Sequence, residues 1–141
     1  MLSRIAALSG RSSSRLGLMT TGVRSLSSSS SSAAIEVNHV VRNTKCKVAG
    51  EDDAVAMDAL FRKACDSASG LPGFVSAQRI VCKAEWDYEC TIVFEAAHFG
   101  GYMESDVREK EILPILEEAK GLAVNGHIHS QNFVFDTFAG K

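Results

Sequence analysis

WDYECTIVFEAAHFGGYMESDVREKEILP (86–114) reads as one strand running into one helix. Tyr88, Cys90, Ile92 and Phe94 share one face of a period-two pattern, with Glu89, Thr91, Val93 and Glu95 on the other, as a central strand requires. Gly100 and Gly101 break that pattern. Ser105 then stands where a helix N-cap would, its hydroxyl able to accept a free backbone N–H of the next turn. The helix that follows carries Ile112, Ile115, Leu116, Ala119, Leu122 and Ala123 as an apolar stripe. Pro114 removes one backbone donor and crowds the turn before it, which predicts a kink near Lys110. Asn125-Gly126 ends this helix.

The flanking segments complete the fold. Residues 35–48 alternate, with Val37, His39 and Val41 on one face and Val40 on the other, giving a first strand. Gly50 and the acidic run Glu51-Asp52-Asp53 supply a turn, a capping carboxylate and charge suited to a helix N-terminus. Met57, Leu60, Phe61, Ala64 and Ala68 follow at the spacing of a buried helical stripe, and Gly70, placed as a left-handed C-terminal residue, with Pro72 stops that helix near Ser69. A second strand spans 74–83, and Lys83-Ala84-Glu85 makes a hairpin into the strand at 86–95. A last strand spans 127–138. The order is β-α-β-β-α-β, an α+β class, ferredoxin-like pattern of a four-stranded antiparallel sheet with two helices on one face. The other face then has no cover within the chain, and a second copy is the simplest supply, so a homodimer is expected.

Composition narrows the function classes. From Met1 to Ala34 there is no Asp or Glu, but there are arginines at 4, 11, 15 and 24 and a serine run over 27–32. This is the composition of a transit peptide with a serine-rich linker, and Arg24-Ser25-Leu26 resembles a mitochondrial processing site cut after Leu26. The expected address is the mitochondrial matrix, with a chloroplast as the alternative, and the domain is 35–141. All seventeen acidic residues follow the leader and four of the fifteen basic ones leave with it, so the remainder carries a net −6. Such a surface repels phosphate backbones, which argues against a nucleic-acid partner. No apolar run approaches the length of a membrane span. Cys46, Cys65, Cys82 and Cys90 show no C-x-x-C spacing and read as reduced thiols.

The segments VNHVV (37–41), LPGF (71–74), WDYECTIVFE (86–95), YMESDVREKEILP (102–114) and NFVFD (132–136) together resemble the dimeric α/β-barrel superfamily. The likeness is to its stress-responsive A/B-barrel branch first and its antibiotic-biosynthesis-monooxygenase-like branch second. It implies a dimeric α/β barrel with a pocket between sheet and helices, in a superfamily of cofactor-free monooxygenases, haem-degrading enzymes, cyclases and proteins without an assigned reaction. In the cyclase-type relatives a first-strand histidine, a tyrosine opening the second helical segment and a histidine soon after it line the pocket. His39 and Tyr102 match the first two, and Arg108 stands at the third position. Arginine keeps its proton and cannot serve as a general base, which weakens the cyclase alternative.

The candidate residues each carry two readings. His39 is either a proton acceptor facing the pocket or a packed strand histidine. Tyr102 is either a phenol that orients a ligand oxygen or a core aromatic with one hydrogen bond. Trp86, Arg108 and Phe133 are candidate ligand-binding residues, Trp86 reading equally as a half-buried strand anchor. His127 and His129 share a strand face, with His98 or Asp136 as further ligands, but two strand histidines fall short of a metal site and neither metal nor cofactor is expected. Two classes of function remain: a homodimeric pocket protein for a small apolar or aromatic ligand, with monooxygenase- or cyclase-like turnover as an alternative, or a structural or accessory subunit of a mitochondrial complex.

Overall fold

A computed structural model describes residues 34–138 of the 141-residue chain. The leader and its processing site lie outside the described residues, Ala34 apart. Strand β1 (His39–Val48), helix α1 (Glu51–Ser69), strands β2 (Phe74–Cys82) and β3 (Asp87–Glu95), helix α2 (Ala96–Met103), a π-helical turn (Arg108–Ile112), helix α3 (Leu113–Lys120) and strand β4 (Ala123–Phe135) follow in order. The four strands form one antiparallel sheet in the order β2-β3-β1-β4. This is the ferredoxin-like α+β architecture, and the helices pack on one sheet face.

Register decides which residues meet the helices. Val40 pairs with Phe94, Arg42 with Ile92, Thr44 with Cys90 and Cys46 with Tyr88. Those even-numbered residues face the helices, whose buried stripe Ala54, Met57, Leu60, Ala64 and Ala68 closes over them. Two apolar clusters result. One gathers Val48, Met57, Leu60 and Tyr88 with Ala119, and the other Ile92, Phe94, Tyr102 and Ile112 with Ala68. The opposite face carries His39, Val41, Asn43, Thr91, Val93 and Phe133. Val93 and Val41 are buried at its centre, while Phe133 (46 % exposed) and Ile80 (59 %) leave apolar surface toward its sides.

Several local expectations are revised. The chain does not wait for Ser105 to become helical: Ala96–Met103, with both glycines, already forms α2. Phe99, Tyr102 and Met103 pack on the Phe94 and Ile112 cluster, and that burial outweighs the roughly 1 kcal/mol that each glycine costs a helix. Ser105 still caps the next segment, its Oγ accepting the Arg108 N–H at 3.1 Å. The expected irregularity near Lys110 takes the form of the π turn, where the Leu113 N–H reaches back five residues to the Arg108 carbonyl. Pro114 lacks the N–H that a regular helix would send to the Lys110 carbonyl, so a widened turn is the natural accommodation. The left-handed glycine after α1 is Gly73 (φ 78°), whereas Gly70 is right-handed. No side chain caps α1 at its N-terminus, where the Gly50 carbonyl accepts the Ala54 N–H at 3.1 Å. The second helical region ends at Lys120, and Asn125 and Gly126, both at positive φ, lie inside β4 instead of ending a helix.

Candidate functional site

Between the sheet and the helices lies a cavity of about 70 Å³. Its floor is the helix-facing side of β1 and β3, from Arg42, Thr44 and Cys46 to Tyr88, Cys90 and Ile92. Met57, Leu60 and Ala64 of α1 form one wall, and Ile112, Ile115 and Leu116 form another. Tyr102 and Arg108 add polar atoms from the helical side. The lining is apolar save for two guanidiniums, two phenols, two thiols and the Thr44 hydroxyl, the few-polar-groups arrangement of ligand sites.

Local structure holds Tyr102 and Arg108 together. The Tyr102 ring, 4 % exposed, stacks on Phe94 with centroids 4.5 Å apart and planes 22° off parallel. Ser105 donates its hydroxyl to the Tyr102 carbonyl at 2.8 Å and accepts the Arg108 N–H, so one side chain couples the end of α2 to the π turn. Arg108 Nη1 donates to the Met103 carbonyl at 3.3 Å. Across the cavity Arg42 Nη1 donates to Asn132 Oδ1 at 2.9 Å, and the Thr44 and Ser130 hydroxyls lie 3.2 Å apart.

Burial pushes the Tyr102 phenol above its ordinary range, while Arg42 and Arg108 are close enough to pull its ionisation partly back. Burial, with smaller contributions from Cys46 and Cys65, pushes the Cys90 thiol up to about 12. Cys46 is raised by burial alone. Tyr88 is raised by burial and by donating its hydroxyl to Asp58 Oδ1 at 2.7 Å. Each of these cavity groups therefore keeps its proton at neutral pH.

The structure brings together only part of the site read from the sequence. Tyr102 and Arg108 both line the cavity. His39 does not: it lies with Val41 on the opposite face, paired with Glu95 and Phe135, so the sheet separates it from Tyr102. Phe133, opposite Val41, is on that same far face. Trp86 sits in the β2–β3 hairpin at φ 56°, its carbonyl accepting the Val48 N–H at 3.0 Å and its ring packed on the Val48 and Tyr88 cluster. It is an anchor of the hairpin outside the cavity lining. His127 and His129 are exposed, and no group of three or more metal-ligating side chains occurs among the described residues. Arg42 and Cys90 were missed. Arg42 stands in the period-two series Val40, Arg42, Thr44, Cys46, Val48, and taking that series as the covered one would have placed it inside.

Comparison with solved structures fixes the fold's relatives. A point variant of SnoaB, a cofactor-independent oxygenase from Streptomyces nogalater, aligns over 74 % of this chain and 99 % of its own at TM-score 0.57 and 14 % identity. The fold is that of the antibiotic-biosynthesis-monooxygenase-like structures. The ActVA-Orf6 monooxygenase of Streptomyces coelicolor, in complex with nanaomycin D, shares it over 74 % of this chain and 93 % of that one (TM-score 0.59, 15 % identity). Rv0793 of Mycobacterium tuberculosis does so over 72 % and 99 % (TM-score 0.53, 12 % identity). The first two, an oxygenase and a monooxygenase, fit the branch that the sequence ranked second. No family model matches the chain, and no curated protein does either. At such identities the likeness carries the fold, and the chemistry has to come from the cavity's own residues.

Proposed function

We propose that this chain is a small homodimeric α/β-barrel protein of the mitochondrial matrix that holds a small apolar or aromatic ligand between its sheet and helices. The observation that carries the reading is a mostly apolar cavity whose few polar groups include the Tyr102 phenol and the Arg42 and Arg108 guanidiniums that act on it. Aliphatic walls supply the affinity, and the few polar groups set the ligand's orientation. Binding is favoured over acid–base turnover because the cavity's described lining holds no carboxylate or imidazole, and its phenols and thiols keep their protons.

The exposed Phe133 and Ile80 on the sheet face away from the helices support self-association. The acid-free, arginine-rich residues 1–34 support the mitochondrial address, which N-terminal sequencing of organelle-derived protein tests. A mature chain starting at Met1 or Leu2 would remove it.

A turnover reading, cofactor-free oxygenation of a phenolic ligand, gains from the same guanidiniums, which would favour a bound phenolate over the neutral phenol. Native mass spectrometry of the purified full chain, before and after exposure to 1-naphthol, tests the ligand-binding reading. A retained small molecule or a saturable naphthol adduct is expected in wild type and lost in Tyr102→Phe. A wild type that carries nothing and takes up nothing leaves an assembly module in its place.

A further inference from the structure

Building on that ligand-binding reading, we propose that the cavity is an acid-binding site: Arg42, Arg108 and the Tyr102 hydroxyl hold the carboxylate of a small monocarboxylic acid whose hydrocarbon body lies against Leu60, Ile92 and Ile112. The first support is the direction of the hydrogen bonds on offer. A guanidinium only donates, through five N–H groups, and among the described residues one donor of Arg42 meets Asn132 and one of Arg108 meets Met103. The Tyr102 hydroxyl has no hydrogen-bond partner among the described residues. Thr44 is paired with Ser130 and Tyr88 donates to Asp58, so the side-chain acceptors left in the lining are hydroxyl lone pairs and thiols, with no carboxylate among them. A neutral phenol or alcohol brings a proton that needs an acceptor, whereas an ionised carboxylate only accepts and has about four lone-pair positions to fill.

Charge points the same way. Arg42 and Arg108 are both half-buried beside apolar side chains, and neither meets a carboxylate within 4.0 Å among the described residues. Lys45, Lys47, Arg79, Lys83, Lys110 and Lys120 do have such partners. Two uncompensated cations at one cavity favour an anion there, and the planar fork of arginine suits a carboxylate.

Size limits the rest of the ligand. The cavity, about 70 Å³, is smaller than the engineered cavity of about 150 Å³ that admits benzene. A five-carbon acid is no smaller than benzene, so it and a ring system alike enter only as the π turn carrying Arg108 and Ile112 gives way, and charge, not size, chooses between them.

The test is calorimetric titration of the full chain with 3-methylbutanoate, with 3-methylbutanamide as its neutral match, and with phenol. The acid should bind about ten- to hundredfold more tightly than the amide, the range that hydrogen bonds to a charged group confer. Arg42→Gln and Arg108→Gln should each lower affinity for the acid by about tenfold or more while leaving that for the amide within about twofold. Where a glutamine variant fails to fold, the lysine variant at the same position keeps the charge and should lose a smaller part of the affinity. Equal binding of acid and amide, or equal loss of both in the arginine variants, overturns the acid-site inference and leaves the ligand pocket standing. Phenol binding without acid binding does the same. If none of the three binds while the native-mass experiment also finds no adduct, the pocket reading falls with it.

Discussion

Tyr102→Phe separates a structural tyrosine from a ligand-facing one, and its outcome follows from what each part of the side chain touches. The ring is 4 % exposed, stacked on Phe94 and tilted against Phe99 at 5.8 Å, and phenylalanine preserves all of this. Only the hydroxyl is lost, and among the described residues it has no hydrogen-bond partner. Removing a hydroxyl that has a buried partner costs about 1 kcal/mol or more, whereas removing one that has no protein partner and is not sealed from solvent costs little. For a domain near 100 residues this keeps the Tm within about 4 °C of wild type. Tyr102→Ala, which also removes the ring, should lose about 3–5 kcal/mol. Guanidinium unfolding followed by the fluorescence of Trp86, the only tryptophan, supplies the comparison. A Tyr102→Phe variant more than about 1 kcal/mol less stable than wild type would show that the hydroxyl is satisfied within the fold, and would remove it from the ligand's reach.

Three further outcomes are expected. Gly73→Ala should destabilise by at least about 2 kcal/mol, because φ is 78° and an added Cβ would lie 2.3 Å from the His98 Cβ; a melting curve matching wild type would contradict that packing. Stability should fall as pH rises from 9 toward 12, since the native Cys90 thiol holds its proton to about 12 while the unfolded one releases it near 9.0, so the unfolded state binds fewer protons in that window; a flat alkaline profile refutes this. Light scattering at micromolar concentration should report a dimer that Phe133→Asp weakens, whereas a wild-type monomer would mean that Phe133 and Ile80 stay wet in solution.

The sequence by itself determined the order of elements and the internal pattern of most of them. The alternation of Tyr88, Cys90, Ile92 and Phe94, the α1 stripe from Met57 to Ala68 and the hairpin after Cys82 are local signals set by periods of 2 and 3.6, and each stands in the structure. Tertiary structure alone decided which side of β1 the helices cover. A period-two pattern marks two faces without saying which is inside, and a one-residue offset exchanges every side chain. The apolar series with Val37, His39 and Val41 looked like the inner one, yet it faces away from the cavity, while the series holding Arg42 faces in because Arg42 pairs with Ile92. Local propensity likewise opposed a helix through Gly100 and Gly101, and the packing of Phe99, Tyr102 and Met103 on the cluster around Phe94 stabilises one there. The candidate site had been half legible: Tyr102 and Arg108 share a segment whose spacing the sequence displays, but their meeting with Arg42, sixty residues earlier, is a product of the sheet register.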